Sequence, residues 1–268
     1  MNERTGSPCI VVGIDGSPSA VDAALWAVDH AVADGLPLRL VYVIEPSEDG
    51  ERPDPQDQAR RLATAELAIR YAVTAVESTE KGVDIDIAVL HGPPVRVLLE
   101  AARAATLLCV GSRGLRHATR GRIGSTAAAV SAAAHCPVAV VRAHRPHSAH
   151  QRSVAVEFND VSAGPAVVRH ALEEAHRRSA PVQLIAPPRV CAEIQAQGSR
   201  QFSQWTRDYP DLDISPVSCA HTLDYLRHHA DSIQLLVVGR DRAGGVADVV
   251  GAPGNVALRD TDCSILVV

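Results

Sequence analysis

The chain has 268 residues, of which 46% are hydrophobic and 21% charged, and its formal net charge is −5. This length suits two domains of about 130 residues each, and the abundance of Val, Ala and Leu favours parallel strands buried between helices. The weakly acidic charge lacks the basic surface that a nucleic-acid partner needs, and no apolar run reaches the roughly 18 residues of a membrane span. The six cysteines form no C-x-x-C pair and no secretory segment precedes the first apolar run. We therefore expect a reduced, cytoplasmic chain with no membrane partner.

The first half begins with a strand at 10–14 that leads directly into Asp15. In α/β folds ligand contacts lie at such strand ends. A helix is predicted at 20–34, with Ser17 or Ser19 as N-cap and Gly35 as C-cap. A second strand at 38–44 precedes an acidic, proline-rich loop at 45–57. We expect this loop to act as a lid over the strand ends.

The pattern of helix and strand then continues to residue 141. A long helix is predicted at 58–81, ending at Gly82, and an edge strand at 83–90 alternates apolar and acidic residues. A helix at 95–104, a strand at 107–110, a helix at 126–134 and a strand at 138–141 complete the first half. This alternation predicts a doubly wound, five-stranded parallel sheet with helices on both faces.

The most informative segment is the glycine loop, residues 110–126, with the sequence VGSRGLRHATRGRIGST between a strand and a helix. Gly111 is followed after two residues by Gly114, and after nine more by Gly124 and Ser125. Glycines let the backbone approach a ligand, and the first amides of a helix lack partners within it. The cations of this segment have no acid among them; they are Arg113, Arg116, His117, Arg120 and Arg122. Such a loop suits a polyphosphate.

The order of elements repeats after a polar, basic linker. Strands are predicted at 153–157, 182–186, 212–217, 233–238 and 263–268, with helices at 164–178 and up to about residue 208. We assign residues 1–143 to a first domain, 144–152 to the linker and 153–268 to a second domain. His144, His147 and His150 recur every three residues in this linker, but no nearby cysteines or acids complete a metal shell.

The second half does not keep the chemistry of the first. We align Glu157, Phe158 and Asn159 with the Asp15 segment, where a phenylalanine would crowd a nucleotide. In the later loop Arg242 replaces the second glycine and Ala252 replaces Ser125, while Arg240 and Arg242 are expected to pair with Asp241 and Asp248. The second half is thus expected to be a scaffold or a degenerate site.

The glycine spacing and its setting resemble the nucleotide-binding motif of the universal stress protein family, in its ATP-binding branch with tandem domains. The resemblance covers the whole chain, but it is specific only in residues 9–142. It implies an adenine-nucleotide α-hydrolase-like fold and a homodimer with an unidentified regulatory partner. It also implies ATP, with Mg²⁺, bound at the strand ends of the first half.

Residue by residue, the resemblance implies that Asp15 contacts ribose or a phosphate-bound Mg²⁺, beside Gly16 and Ser17. Val43 would present its backbone to adenine, and Val110 and Gly92 would line the base and sugar. The phosphates would be held by the remaining motif residues, which are Gly111, Arg113, Gly114, Gly124, Ser125 and Thr126.

Binding of this kind neutralises the phosphates in the ground state, which does not accelerate hydrolysis. The chain also lacks a G-x-x-x-x-G-K-[ST] motif. We therefore expect an ATP-binding regulatory protein of the stress response with no catalytic residues and slow hydrolysis at most. A slow ATPase or nucleotide hydrolase is one alternative, and a structural protein without nucleotide is another.

Overall fold

The computed structural model describes residues 7–46, 54–115, 123–144, 152–158, 164–197, 200–242, 245–258 and 261–268. The chain divides into two compact units, Met1–His144 and Arg145–Val268.

The first unit is a five-stranded parallel sheet with the strand order β3-β2-β1-β4-β5. Its elements are β1 Cys9–Ile14, α1 Pro18–Asp34, β2 Leu38–Ile44, α2 Pro55–Glu77, β3 Ile85–His91, α3 Pro94–Ala101, β4 Ala105–Gly111, α4 Ser125–Ala133 and β5 Val138–Val141. The helices pack in pairs, α1 with α2 and α3 with α4, on the faces of the sheet. The doubly wound fold and the position of β3 at an edge are confirmed.

Helix α1 shows why its ends lie where they do. The Ser17 side chain accepts a hydrogen bond from the Ala20 N–H at 3.2 Å, and Pro18 stands at the first helical position. Both features stabilise a helix start. Gly35 ends the helix with a φ of 63°, in the left-handed region that glycine enters at little cost. Of the two serines considered from the sequence, Ser17 is therefore the cap.

Helix α2 ends four residues earlier than predicted, because side chains close it before Gly82. The Ser78 hydroxyl donates to the Ala75 carbonyl, and the Thr79 hydroxyl donates to the Val76 carbonyl, both at 2.7 Å. Glu80 then has a φ of 56°, which breaks the helical path. Local bonds of this kind compete with helix continuation.

The second unit has the corresponding strand order β10-β9-β6-β7-β8, again parallel throughout. Its elements are β6 Ser153–Glu157, α5 Gly164–Arg178, β7 Val182–Ala186, α6 Pro188–Gln197, α7 Arg200–Asp208, β8 Ile214–Ser218, α8 Thr222–His229, β9 Ile233–Val238, α9 Ala247–Val250, α10 Ala252–Ala257 and β10 Ser264–Val267. A short 3-10 helix, Ala230–Ser232, joins α8 to β9. The single helix predicted up to about residue 208 is two helices, α6 and α7, and α8 was not predicted.

The central strands of each unit are buried on both faces, as parallel strands between helices must be. Five of the seven residues of β4 and all six of β9 are buried. None of the helices in the described parts of the chain combines the length and the apolar character that crossing a membrane requires.

Candidate functional site

The candidate site lies in the first unit, where the carboxyl ends of β1 and β4 meet. These two strands are neighbours at the centre of the sheet, and Gly13 of β1 lies opposite Val110 of β4. The chain leaves β1 toward β2 but leaves β4 toward β5, so the connections diverge at this point. Open α/β sheets bind ligands in the crevice that such a divergence creates.

A cleft with a volume of about 150 Å³ opens at this point. Its walls come from the ends of β1, β2 and β4, the start of α3 and the start of α4. The lining residues are Gly13, Ile14, Asp15, Ser17, Ala20, Val41, Val43, Glu45, Pro94, Leu98, Val110, Gly111, Arg113, Gly114, Gly124, Ser125, Thr126 and Ala127.

Most of the residues predicted from the sequence lie together in this cleft. Those that line it are Asp15, Ser17, Val43, Val110, Gly111, Arg113, Gly114, Gly124, Ser125 and Thr126. Gly16 and Gly92 do not line the cleft. Both have a positive φ, of 85° at Gly16 and 139° at Gly92. An added Cβ at Gly92 would lie only 2.9 Å from a methyl of Val97. Backbone conformation therefore accounts for these two glycines.

The three motif glycines differ in what surrounds them. An added Cβ at Gly111 would lie 2.6 Å from the Ser19 carbonyl carbon, and one at Gly114 would lie 2.8 Å from an Asp15 carboxylate oxygen. Packing inside the protein thus explains Gly111 and Gly114. At Gly124 the nearest described atom to an added Cβ would be 3.8 Å away, and φ is an ordinary −66°. Within the described part of the chain, neither packing nor backbone conformation requires a glycine at position 124.

The start of α4 presents backbone amides to the cleft. Gly124 donates its own N–H to the Ser112 carbonyl at 2.8 Å, and the helical ladder begins when Ala128 donates to the Gly124 carbonyl. The N–H groups of Ser125, Thr126 and Ala127 precede this ladder, so they have no partner inside the helix. No side chain among the described residues caps this helix, and all three residues line the cleft. With the positive end of the helix dipole, these amides suit an anion.

Asp15 and Ser17 make specific hydrogen bonds inside the protein. One Asp15 carboxylate oxygen accepts from the Ser17 N–H at 2.9 Å, and the other accepts from the Leu115 N–H at 3.2 Å. The carboxylate therefore ties the end of β1 to the glycine loop. Each of its oxygens keeps a further lone pair for a ribose hydroxyl or a metal-bound water.

Several cleft residues were missed from the sequence. Gly13 lies inside a strand and gave no turn signal, while Glu45 follows β2 and Pro94 begins α3. Ser19 was considered only as a helix cap, yet its hydroxyl bonds to Arg113 in the glycine loop. These residues are distant in sequence, and only the strand order brings them together.

Some predicted features lie outside the described residues. They are the loop residues 47–53, the cations Arg116, His117, Arg120 and Arg122, most of the linker, and Asn159. Within the parts of the chain that the structure describes, no three His, Cys, Asp or Glu side chains are grouped so that they could hold a metal ion.

Strand register corrects the alignment of the two halves by two residues. In β1, Cys9 pairs with Ala105 before a register shift and Val12 then pairs with Cys109. In β6, Ser153 pairs with Ile233 before the same shift and Val156 then pairs with Val237. Glu157 therefore corresponds to Gly13, and Asn159 to Asp15. Phe158 corresponds to Ile14 and packs edge-on against Trp205 in the core.

Three residues of the second unit occupy positions that line the cleft in the first. Glu157 corresponds to Gly13, and Arg242 corresponds to Gly114. Thr222 corresponds to Pro94, because Thr222 and Pro94 each begin a helix eleven residues before the start of the next strand. Arg242 donates to both carboxylate oxygens of Glu157, at 2.6 and 2.8 Å, and Thr222 donates to the same carboxylate at 2.7 Å. The equivalent space is thus filled by a triad of hydrogen-bonded side chains.

The triad is buried and contains one ion pair, between Arg242 and Glu157. The side chains of Arg242 and Glu157 are 7% and 5% exposed, and hydrogen bonds to Glu157 raise the pKa of the guanidinium above its usual value. Arg242 also donates to the Gly245 carbonyl at 2.8 Å and lies 3.6 Å from Asp248. The expected pairing of Arg242 with Asp248 is therefore present, but the main partner of Arg242 is Glu157, which the sequence did not suggest.

The helix start in the second unit is also obstructed. Helix α10 has six residues, and α9 packs directly before it. Gly251 donates its N–H to the Ala247 carbonyl at 2.7 Å, and an added Cβ would lie 2.2 Å from that oxygen. Gly251 is therefore a packing glycine, unlike Gly124.

Comparisons with known proteins agree with this architecture. Universal stress protein Rv2028c of Mycobacterium tuberculosis H37Rv is 38% identical to this chain, and the alignment covers 100% of this chain and 98% of the relative. The crystal structure of a universal stress protein from Archaeoglobus fulgidus covers 97% of this chain and 95% of its own, with a TM-score of 0.72 and 13% identity, and so shows the fold. A solved universal stress protein in complex with cAMP is 27% identical over 51% of this chain, but its TM-score of 0.41 carries no structural argument.

The model of the universal stress protein family matches residues 9–142, which form the unit that contains the cleft. Together with the full-length relative, this match shows that the chain belongs to the universal stress protein family.

Proposed function

We propose that the chain is an ATP-binding regulatory protein of the stress response, with the nucleotide in the first-unit cleft. The observation that carries the proposal is the start of α4. There, amides with no partner among the described residues face the cleft beside Gly124, a glycine that no described neighbour requires. A phosphate that approached the backbone closely would explain both features.

The charges of the cleft favour one orientation of the nucleotide. Arg113 and the start of α4 supply positive charge at one part of the lining, which suits the phosphates. Val41 and Val43 of β2 provide an apolar wall for adenine, and Asp15 is placed at the end of β1 for ribose or for Mg²⁺ bound to phosphate. Gly16 and Gly92 shape the turns that surround this lining.

The second unit is proposed to bind no nucleotide. Side chains of its own fill the space that corresponds to the cleft, and Pro253 in the first turn of α10 has no N–H to offer an anion. A nucleotide could enter this space only by separating Arg242 from Glu157, which would leave buried charges without compensation. This cost disfavours nucleotide binding in the second unit.

The proposal includes a cytoplasmic location and a homodimer that acts on a regulatory partner, for which the family resemblance is the support. Light scattering tests the dimer. A mass near twice the 28.3 kDa of one chain supports it, and a mass near 28.3 kDa excludes it.

Equilibrium binding of ATP to the purified full chain tests the proposed function. The wild type should bind ATP, and Gly124→Glu should abolish binding because it places a carboxylate where phosphate is proposed. Gly82→Glu is the matched control, since an added Cβ at Gly82 meets nothing within 4 Å and Gly82 lies outside the cleft. Absence of ATP binding in the wild type would sink the proposal.

A further inference from the structure

Ser19 connects α1 to the glycine loop although it does not line the cleft. It lies in the first turn of α1 and is 5% exposed. Its hydroxyl accepts a hydrogen bond from the Arg113 N–H at 3.3 Å and donates one to the Arg113 carbonyl. A single buried hydroxyl therefore holds both polar groups of one loop residue, 94 positions away in sequence.

The cap of α1 does not need this hydroxyl. Ser17 already accepts the Ala20 N–H as the N-cap, and the Ser19 hydroxyl lies 3.4 Å from the Ser17 hydroxyl without replacing it. Among the described residues the bonds of the Ser19 side chain go to Arg113 and Ser17. Stabilising the helix start is thus an insufficient reason for a serine here.

The backbone around Ser19 makes the contact rigid. The loop begins at Gly111, where an added Cβ would lie 2.6 Å from the Ser19 carbonyl carbon, so loop and helix are in direct backbone contact. Two residues beyond Arg113, the Leu115 N–H donates to Asp15 at 3.2 Å. The segment from Gly111 to Leu115 is therefore held at three points, at Gly111 and Arg113 by the start of α1 and at Leu115 by Asp15 after β1.

We propose that Ser19 is a positioning residue for the phosphates of the bound nucleotide. By holding the Arg113 peptide, it fixes the direction of the Arg113 side chain and of the adjoining Gly114 backbone, both of which line the cleft. The inference rests on the proposed function. It goes further by assigning phosphate selectivity to a residue that does not touch the ligand.

The inference predicts a loss that grows with the number of phosphates. Without the hydroxyl, Arg113 and the loop amides lose their fixed geometry, while the apolar wall from β2 is unchanged. Ser19→Ala should weaken ATP binding roughly tenfold, as expected for the loss of one or two buried hydrogen bonds. Binding of AMP, which has a single phosphate, should weaken by about twofold or less in the same variant.

The experiment is displacement of a fluorescent ATP analogue from the full chain by ATP, ADP and AMP. Variants are Ser19→Ala, Ser19→Thr, which keeps the hydroxyl, and Ser19→Cys, which keeps nearly the same volume with a weak hydrogen-bonding group. Ser131→Ala is the matched control, because Ser131 is also buried and its hydroxyl donates to Ala127 within α4. Thermal unfolding of each variant verifies that it folds.

We expect Ser19→Ala to lower the ratio of ATP affinity to AMP affinity, and Ser19→Cys to lower this ratio by a smaller factor. Ser19→Thr and Ser131→Ala should leave the ratio unchanged. An unchanged ratio in Ser19→Ala and Ser19→Cys overturns the inference, even if both ligands weaken equally. If the wild type binds none of these nucleotides, the proposed function itself fails. The two failures are therefore distinguishable.

Discussion

The side chains of Glu157 and Arg242 fill, in the second unit, the space that is an open cleft in the first. At the corresponding positions the first unit has Gly13 and Gly114, which line the cleft. The second unit places a bidentate ion pair there, with both side chains less than a tenth exposed. A buried pair of this kind is costly to break from one side, because the remaining charge is left without compensation.

Arg242→Met is therefore expected to destabilise the second unit by about 3–5 kcal/mol, since the buried Glu157 carboxylate would lose the guanidinium that donates to both of its oxygens. The measurement is urea unfolding followed by tryptophan fluorescence. The chain has two tryptophans, so a Trp26→Phe background leaves Trp205, which is buried in the second unit, as the reporter.

Two further variants define the outcome. Arg189→Met removes an exposed ion pair with Glu193 and should change stability by less than about 0.5 kcal/mol. Changing both partners, as Glu157→Gln with Arg242→Met, should recover much of the loss because no buried charge remains. An Arg242→Met effect as small as that of Arg189→Met would contradict the structural importance of the pair.

The sequence alone predicts residues that lie in one loop, but it does not predict contacts between positions that are distant along the chain. The glycine spacing predicts Gly111, Gly114 and Gly124 because the three glycines lie in one loop. The bond from Thr222 to Glu157 joins positions 65 apart, and the bond from Ser19 to Arg113 joins positions 94 apart. Contacts of this kind depend on strand order and register, which a single sequence does not specify.

The glycine loop is the element on which the candidate site depends, and its two ends have different constraints. At Gly111 the loop packs against the backbone of α1, and at Gly124 it opens into the cleft. Substituting each glycine by the same residue separates packing from ligand binding.

Gly111→Ala should destabilise the first unit by about 1–3 kcal/mol, because the new methyl would overlap the Ser19 backbone. Gly124→Ala should cost less than about 1 kcal/mol and should weaken ATP binding at least roughly tenfold. Unfolding is followed through Trp26 in a Trp205→Phe background, and binding is measured by calorimetry. Equal destabilisation by the two variants would contradict the distinction, and so would normal ATP binding by Gly124→Ala.

Elements were predicted best where burial alone determines them. Strands β2, β5, β6, β7 and β9 lie at the predicted residues because each is a short apolar run between turns. Helix α2 was predicted too long because Ser78 and Thr79 end it through side-chain bonds. Helix α8 was missed, and its polar sequence gives it few apolar positions to mark its period.

At the scale of the whole molecule, the chain combines two units of the same strand order with unequal sites. In the described part of the chain, the first unit has an open cleft and a helix start without a side-chain cap, whereas the second has an internal triad and a helix start packed against α9. Duplication of the fold therefore does not imply duplication of the binding site. We therefore expect one bound nucleotide for each chain, in the first unit.

Native mass spectrometry of the full chain titrated with ATP tests this claim most directly, because it counts bound nucleotides per chain. We predict that the wild type and Gly82→Glu saturate at one ATP per chain, and that Gly124→Glu carries none. Two bound ATP molecules per chain, no bound ATP in the wild type, or one ATP retained by Gly124→Glu would each contradict it.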